Sequence, residues 1–314
     1  MAVIKKPNPE NWIGRKSDQQ LFLHEKVELD VKETMSANTI VLLGYACDEG
    51  VNRNQGRLGA IAGPDAIRPQ LGKLPNHLDP EVKLVDSGNV ECENGDMEAA
   101  QRMLEQKVSQ LLTHNAFPIL IGGGHDIAYG HYNGIRKYIG TNETIGIINF
   151  DAHFDLRSNE NGNNSGTPFF QIAEDCKDNG SDFNYLCLGI RKDANDKILF
   201  KTANDLGVDY IEKNKFSIEH AKSIVRKLLD FIHKVDHIYV TIDLDGFSSA
   251  YAPGVSAASP MGFSPKIVLD TLEIIIKSKK MISMDIAEMN PKYDIDGHTA
   301  KLAASLIHYV IHHI

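Results

Sequence analysis

Three short apolar runs in this chain end in the same way. Phe117-Pro-Ile-Leu-Ile121 leads into Gly122-Gly-Gly-His125-Asp126, Ile145-Gly-Ile-Ile-Asn-Phe150 into Asp151-Ala-His153-Phe-Asp155, and His237-Ile-Tyr-Val-Thr-Ile242 into Asp243-Leu-Asp245. Runs this short and this apolar suit strands buried on both faces, as in a parallel sheet. Alternate residues of an extended chain share a face, so Asp151, His153 and Asp155 converge where their strand ends. Open α/β sheets place ligands outside the carboxyl ends of their strands. Three strands delivering His125, Asp151, His153, Asp155, Asp243 and Asp245 to one edge therefore point to a parallel sheet with a metal site along that edge.

The rest of the chain agrees with such a sheet. Further strands are expected over 39–44, 82–85, 185–190, 208–211 and 281–286, and helices over 96–114, 127–138 and 297–312. Strands alternating with helices imply a parallel sheet covered on both faces. With 314 residues, 42% of them hydrophobic, the chain can bury one large core. No repeat, low-complexity tract or linker divides it. A single domain over 1–314 is expected, with the polar segment 1–36 an extension packed on it and one short helix around 18–25. The glycine-rich stretch 45–63 is too long for an ordinary connection, and long structured loops after strands commonly carry function. Pro64, preceded by Gly63, opens the next helix.

Composition removes several function classes. Lys and Arg number 33 against 42 Asp and Glu, a formal charge of −9 that argues against a nucleic-acid surface built on phosphate contacts. The four cysteines, Cys47, Cys92, Cys176 and Cys187, include no C-x-x-C pair, so neither a zinc site nor a disulfide framework is indicated. The first residues form no apolar core of signal-peptide length and no later apolar run is long enough to span a membrane, so the expected location is cytoplasmic. Gly122 to Gly124 lack the Gly-Lys-Ser/Thr that would complete a phosphate loop.

Four carboxylates with two imidazoles form a hard, oxygen-rich set that suits Mn²⁺ better than structural zinc. Six ligands exceed the needs of one ion. Two divalent ions sharing carboxylates would use all six and would lower the pKa of a water between them. Calcium fits the imidazoles less well.

The segments Gly122-Gly-Gly-His-Asp126, Asp151-Ala-His-Phe-Asp155, Asp243-Leu-Asp-Gly246 and Glu288-Met-Asn-Pro291, in that order, resemble the ureohydrolases, the family of arginases and agmatinases. The likeness spans about residues 39–313. It implies a three-layer αβα fold with a mostly parallel eight-stranded sheet, two Mn²⁺ per chain, and hydrolysis of a C–N bond in an amidino or guanidino group. By position, His125, Asp151, Asp155 and Asp243 would serve one manganese, and Asp151, His153, Asp243 and Asp245 the other. Glu288 matches the acidic residue that faces the cationic nitrogen group of the substrate, and Asp155 would carry the proton. Relatives commonly assemble as homo-oligomers.

Within the family, Asp48-Glu-Gly-Val-Asn-Arg-Asn-Gln-Gly-Arg57, Gly63-Pro-Asp-Ala-Ile-Arg68, Asp155-Leu-Arg157, Ser165-Gly-Thr-Pro-Phe169 and Ala252-Pro-Gly-Val-Ser256 are similar to the formimidoylglutamases. That similarity implies a small-molecule amidine substrate carrying two carboxylates, N-formimidoyl-L-glutamate, cleaved to glutamate and formamide. Arginines on strand-end loops are then the candidates for the carboxylates: Arg53, Arg57, Arg157 and Arg191. Asn163, Asn164 and Ser165 are further candidates, although Asn163 and Asn164, each taken alone, are better suited to turns. Ser165 stands where arginases have a histidine described as a proton shuttle, and a hydroxyl is no general acid near neutral pH. Competing expectations are a ureohydrolase acting on a guanidino acid or agmatine, and a metal-holding homologue without turnover. His131, His220, His233, His237, His298 and His308 read as packing or surface residues.

Overall fold

The structure, a computed structural model, describes residues 1–29 and 38–314. In chain order the strands are β1 (Ala2–Lys5), β2 (Glu28–Leu29), β3 (Thr39–Ala46), β4 (Lys83–Cys92), β5 (Phe117–Gly122), β6 (Ile145–Phe150), β7 (Asn184–Ile190), β8 (Asp209–Glu212), β9 (His237–Asp243) and β10 (Met281–Ala287). The helices are α1 (Leu23–Lys26), α2 (Glu49–Arg53), α3 (Gly63–Gly72), α4 (Met97–Thr113), α5 (Ile127–Ile139), α6 (Pro168–Asp178), α7 (Lys197–Asp205), α8 (Ala221–His233), α9 (Pro265–Lys277) and α10 (His298–Ile311).

Among the described residues the strands form one sheet in the order β1-β4-β3-β5-β10-β9-β6-β7-β8, with β2 pairing β4. From β4 to β8 every neighbouring pair is parallel, which accounts for the eight strands expected. The amino-terminal segment supplies the other two: β1 runs antiparallel to β4, and the two-residue β2 runs parallel to it. The short helix expected over 18–25 is a single turn at Leu23–Lys26; residues 30–36 of the expected extension lie outside the described residues.

Alternation along the strands sorts side chains into two cores. Ile40 and Leu42 of β3, Ile148 and Phe150 of β6, and Ile238, Val240 and Ile242 of β9 pack on one face with residues of α3, α8, α9 and α10. Val41, Leu43, Ile145, Ile147 and Tyr239 face the other way, against residues of α4, α5, α6 and α7. Both faces are covered, as a parallel sheet requires. Among the described residues no helix is long and apolar enough to cross a membrane.

One strand runs far beyond its expected length. β4 continues well past Val85, through Asp86 to Cys92. Asp86 is fully buried because Arg68 grips both its oxygens, Nε at 2.8 Å and Nη2 at 2.9 Å, while the Trp12 indole donates at 2.7 Å. A buried carboxylate so fully paired can sit inside a sheet.

Candidate metal centre and active site

The loop after β5 extends the sheet beyond its last residue. Gly123 N–H donates to the Tyr45 carbonyl at 2.7 Å, Gly124 N–H to Cys47 at 2.9 Å, and Glu288 N–H to Gly123 at 2.9 Å. A Cβ on Gly123 would lie 1.7 Å from the Cys47 carbonyl oxygen, so the glycine is needed for close approach of backbones. The result brings His125 beside Glu288, whose Oε1 accepts the His125 amide at 3.0 Å. Asp151 extends β6 in the same way, its N–H donating to Leu188 at 3.1 Å.

At this edge the six expected ligands come together. One ligand atom each from His125, Asp151, Asp155 and Asp243 lies within 4.8 Å of the others, and the same holds for Asp151, His153 and Asp245. Asp151 belongs to both groups. Asp243 falls in the first only. His125 Nδ1 lies 3.2 Å from Asp151 Oδ2, 2.9 Å from Asp155 Oδ2 and 3.1 Å from Asp243 Oδ2. His153 Nδ1 lies 3.3 Å from Asp245 Oδ1 and 3.5 Å from Asp151 Oδ1. Asp155 and Glu288 both hold a left-handed backbone, with φ of 47° and 67°, a conformation that costs energy in residues with a Cβ and recurs at functional sites.

The carboxylates cannot all be charged without help. Burial, with the charge of Asp151 beside them, raises the pKa values of Asp155 and Asp243. Burial opposes ionisation of Asp151 too, but His125 and His153 beside it outweigh that and hold its carboxyl below the usual range. Asp245 and Glu288 are pushed well above that range by burial, Asp245 then by Asp243, Glu288 by Asp243 and Asp245. Concentrated negative charge of this kind is relieved by cations.

The donor set fits metal ions by a second criterion. The Thr241 hydroxyl donates its one proton to Asp285 Oδ1 at 2.6 Å, so at its 2.9 Å contact with His125 Nε2 it accepts. Nε2 therefore carries a proton, and in the neutral imidazole Nδ1 is left as a lone pair, buried, without a hydrogen-bond partner, and facing three carboxylate oxygens. A lone pair set among carboxylate oxygens is the arrangement of a cation site. Asp245 Oδ1 is likewise buried without a hydrogen-bond donor.

A cavity of about 210 Å³ opens over these groups, lined by His125, His153, Asp155, Asp243, Asp245 and Glu288 together with Arg157 and Ser165. The remaining expected contacts stand elsewhere. Arg57 donates to the carbonyls of Ser256 at 2.8 Å and Val255 at 2.7 Å and lies 3.9 Å over the Tyr293 ring, bracing one loop against another. Arg53 is held by Glu49 and Glu98. Arg191 forks onto Asp193 at 3.0 and 2.7 Å and lines a separate hollow. Asn163 accepts from Arg53 at its carbonyl and from Asn159 at its side chain, while Asn164 caps the Gly166 amide. None of these five lines the cavity. Arg157 does, and no hydrogen bond or ion pair of its guanidinium is found among the described residues.

Two asparagines of the cavity wall escaped the sequence reading. Asn54 donates to Ser165 Oγ at 3.1 Å, and Asn195 ties the Phe154 amide to the carbonyls of Ala152 and Arg191. Asn54 lies within the 48–57 stretch without marking itself as a site residue and Asn195 lies outside every motif, so their place in the fold is what brings them to the site.

Comparison with known proteins agrees with this geometry. The arginase family model matches residues 38–313. A curated formimidoylglutamase of Geobacillus sp. (strain WCH70) is 42% identical, covering 98% of this chain and 97% of that protein. Among solved structures, formimidoylglutamase of Bacillus subtilis subsp. subtilis str. 168 superposes with a TM-score of 0.84 at 21% identity, over 95% of this chain and 93% of that one. Trypanosoma cruzi formiminoglutamase, solved with Mn²⁺, gives 0.76 at 24% identity, over 98% of each chain; at these identities the likeness is one of fold. The full-length relative and the family match, together with the ligand groups at the carboxyl edge, place the chain in the arginase family.

Proposed function

We propose that this chain is a manganese-dependent formimidoylglutamase, hydrolysing N-formimidoyl-L-glutamate to L-glutamate and formamide. The observation that carries the reading is one cavity that joins His125 and its carboxylates to Arg157, whose guanidinium has no hydrogen-bond or ion-pair partner among the described residues. Resemblance over the full length to curated formimidoylglutamases supports the substrate. His125, Asp151, Asp155 and Asp243 would hold one Mn²⁺, and Asp151, His153 and Asp245 a second, to which Asp243, grouped here with the first, would be a further ligand. When bound, the ions supply Lewis acidity and a water acidic enough to act as nucleophile near neutral pH.

The chain's own residues do the rest. Glu288, at the cavity wall with Oε1 already fixed by the His125 amide, accepts N–H groups of the cationic amidine and orients its central carbon. The Arg157 guanidinium takes a substrate carboxylate. Water adds to the amidine carbon and its oxygen leaves in formamide, while the bond to the glutamate nitrogen breaks. Asp155 accepts the proton of the attacking water and returns it to that nitrogen. No imidazole stands at Ser165 to do so; its hydroxyl is buried and accepts from Asn54.

A panel of N-formimidoylglutamate, arginine, agmatine and guanidinobutyrate, assayed on Mn²⁺-loaded protein, tests the reading. It predicts formamide from the first and near silence from the others. Urea release at comparable kcat/KM would reassign the substrate, and two bound metals with no turnover on any member would mark a binding protein instead.

A further inference from the structure

Behind the metal edge lies a buried polar chain that the proposed reaction does not use. Asp285, in the middle of β10, is fully buried. Its Oδ1 accepts from the Thr241 hydroxyl at 2.6 Å, and its Oδ2 from the Tyr239 hydroxyl and from His131 Nδ1, the latter at 2.6 Å. His131 is clamped from its other side by Ser283 Oγ at 2.7 Å, and Ser283 in turn donates to the Pro118 carbonyl at 2.8 Å. Register explains the geometry: Asp285 pairs with Thr241 across β10 and β9, and with Leu120 across β10 and β5. The carboxylate is thus set in β10, the strand next to β5, whose following loop carries His125.

We infer that Asp285, acting through Thr241, is the positioning residue that sets the ring orientation and tautomer of His125 and so tunes its grip on metal. The Thr241 hydroxyl has a single proton, and Asp285 claims it. Thr241 can then only accept, so His125 must present Nε2–H inward and the Nδ1 lone pair outward, toward Asp151, Asp155 and Asp243. The second and third donors to Asp285 keep the carboxylate in place and leave Oδ1 for Thr241. His131, an ordinary packing histidine by its place on α5, becomes part of the support. Partners that fix the other nitrogen of a metal-binding histidine commonly alter metal affinity by about 10–100-fold.

The inference rests on the proposed metal site, and its test separates the two. Apoprotein of the wild type, Thr241→Val and Thr241→Ser is titrated with Mn²⁺ by calorimetry, with near-ultraviolet circular dichroism to establish folding, and kcat and KM are measured at saturating Mn²⁺. Thr241→Val, which keeps the shape but removes the acceptor, is expected to weaken Mn²⁺ binding by roughly 10–100-fold while KM at saturating metal stays near the wild-type value. Thr241→Ser, which keeps the hydroxyl, restores binding to within about threefold. Should the valine variant fail to fold, Asp285→Asn carries the same expectation, because its amide can reverse the Thr241 hydroxyl. A folded Thr241→Val or Asp285→Asn that binds Mn²⁺ as the wild type does, or a serine variant as weak as the valine one, overturns the inference. Wild-type protein that binds no Mn²⁺ overturns the metal site itself.

Discussion

Replacing Arg157 is the perturbation with the sharpest functional consequence. The other arginines of the strand-end loops spend their guanidinium donors on protein partners: Arg53 on Glu49 and Glu98, Arg57 on two carbonyls, Arg191 on Asp193. Arg157 lines the cavity two residues beyond Asp155, and its backbone is fixed by the Arg157 N–H to Gly166 bond of 2.9 Å. A charge-assisted hydrogen bond contributes about 1.5–3 kcal/mol, and because this side chain is exposed to water in the free protein the lower part of that range applies. About 1.5–2 kcal/mol corresponds to a loss of roughly 10–30-fold in kcat/KM for Arg157→Met. Arg157→Lys, which keeps charge but loses the planar fork, should fall between. The assay compares formimidoylglutamate with analogues in which one or the other carboxylate is an amide. One analogue should lose its preference in the variant and so identify which carboxylate Arg157 holds. Equal losses on all three substrates, or no loss on any, would refute the assignment.

Two further outcomes follow from the same structure. Arg68→Met leaves the buried Asp86 carboxylate without its bidentate partner and should lower stability in urea by about 3–5 kcal/mol, with part recovered in the double variant Arg68→Met/Asp86→Leu; a loss below about 1 kcal/mol would contradict the pairing. At the carboxyl end, the His77 amide donates to His312 Nε2 at 3.0 Å, and burial lowers the pKa values of His308 and His312. A histidine whose folded pKa lies below its unfolded value stabilises the fold fully above about pH 6.5 and loses that contribution as pH falls through the lowered value. Hydrogen-exchange protection at His77 and the last turn of α10 should therefore fall between about pH 7 and pH 5, and a flat profile would exclude this contribution.

How far the sequence reveals the molecule depends on whether a residue's role is local. The ligands on β5, β6 and β9 are legible because a strand's period and its carboxyl end place Asp151, His153 and Asp155 with no knowledge of the partner strands. The parallel sheet is legible for the same reason. The arginines are not: whether Arg57 or Arg157 is left for a ligand depends on where the carbonyls of Val255 and Ser256 lie, and that is a property of packing between distant loops. β4 runs longer than its composition suggests because Asp86 meets Arg68 and Trp12 only in the folded state. Thr241 and Asp285 are hidden in apolar strands, where a polar residue reads as an exception until its hydrogen bonds are traced. The left-handed backbone at Glu288 leaves no mark in residue type, since glutamate has no preference for it, unlike the aspartate at Asp155.

The central claim, that the two ligand groups sharing Asp151 hold the ions needed for amidine hydrolysis, is tested most directly by metal titration of chelator-treated protein. Mn²⁺ is added stepwise while bound metal and formamide release from N-formimidoylglutamate are followed together. The account predicts no turnover in the metal-free protein, and activity that rises to a plateau at two Mn²⁺ per chain. Turnover that persists without metal, or a plateau at one ion per chain, would contradict it.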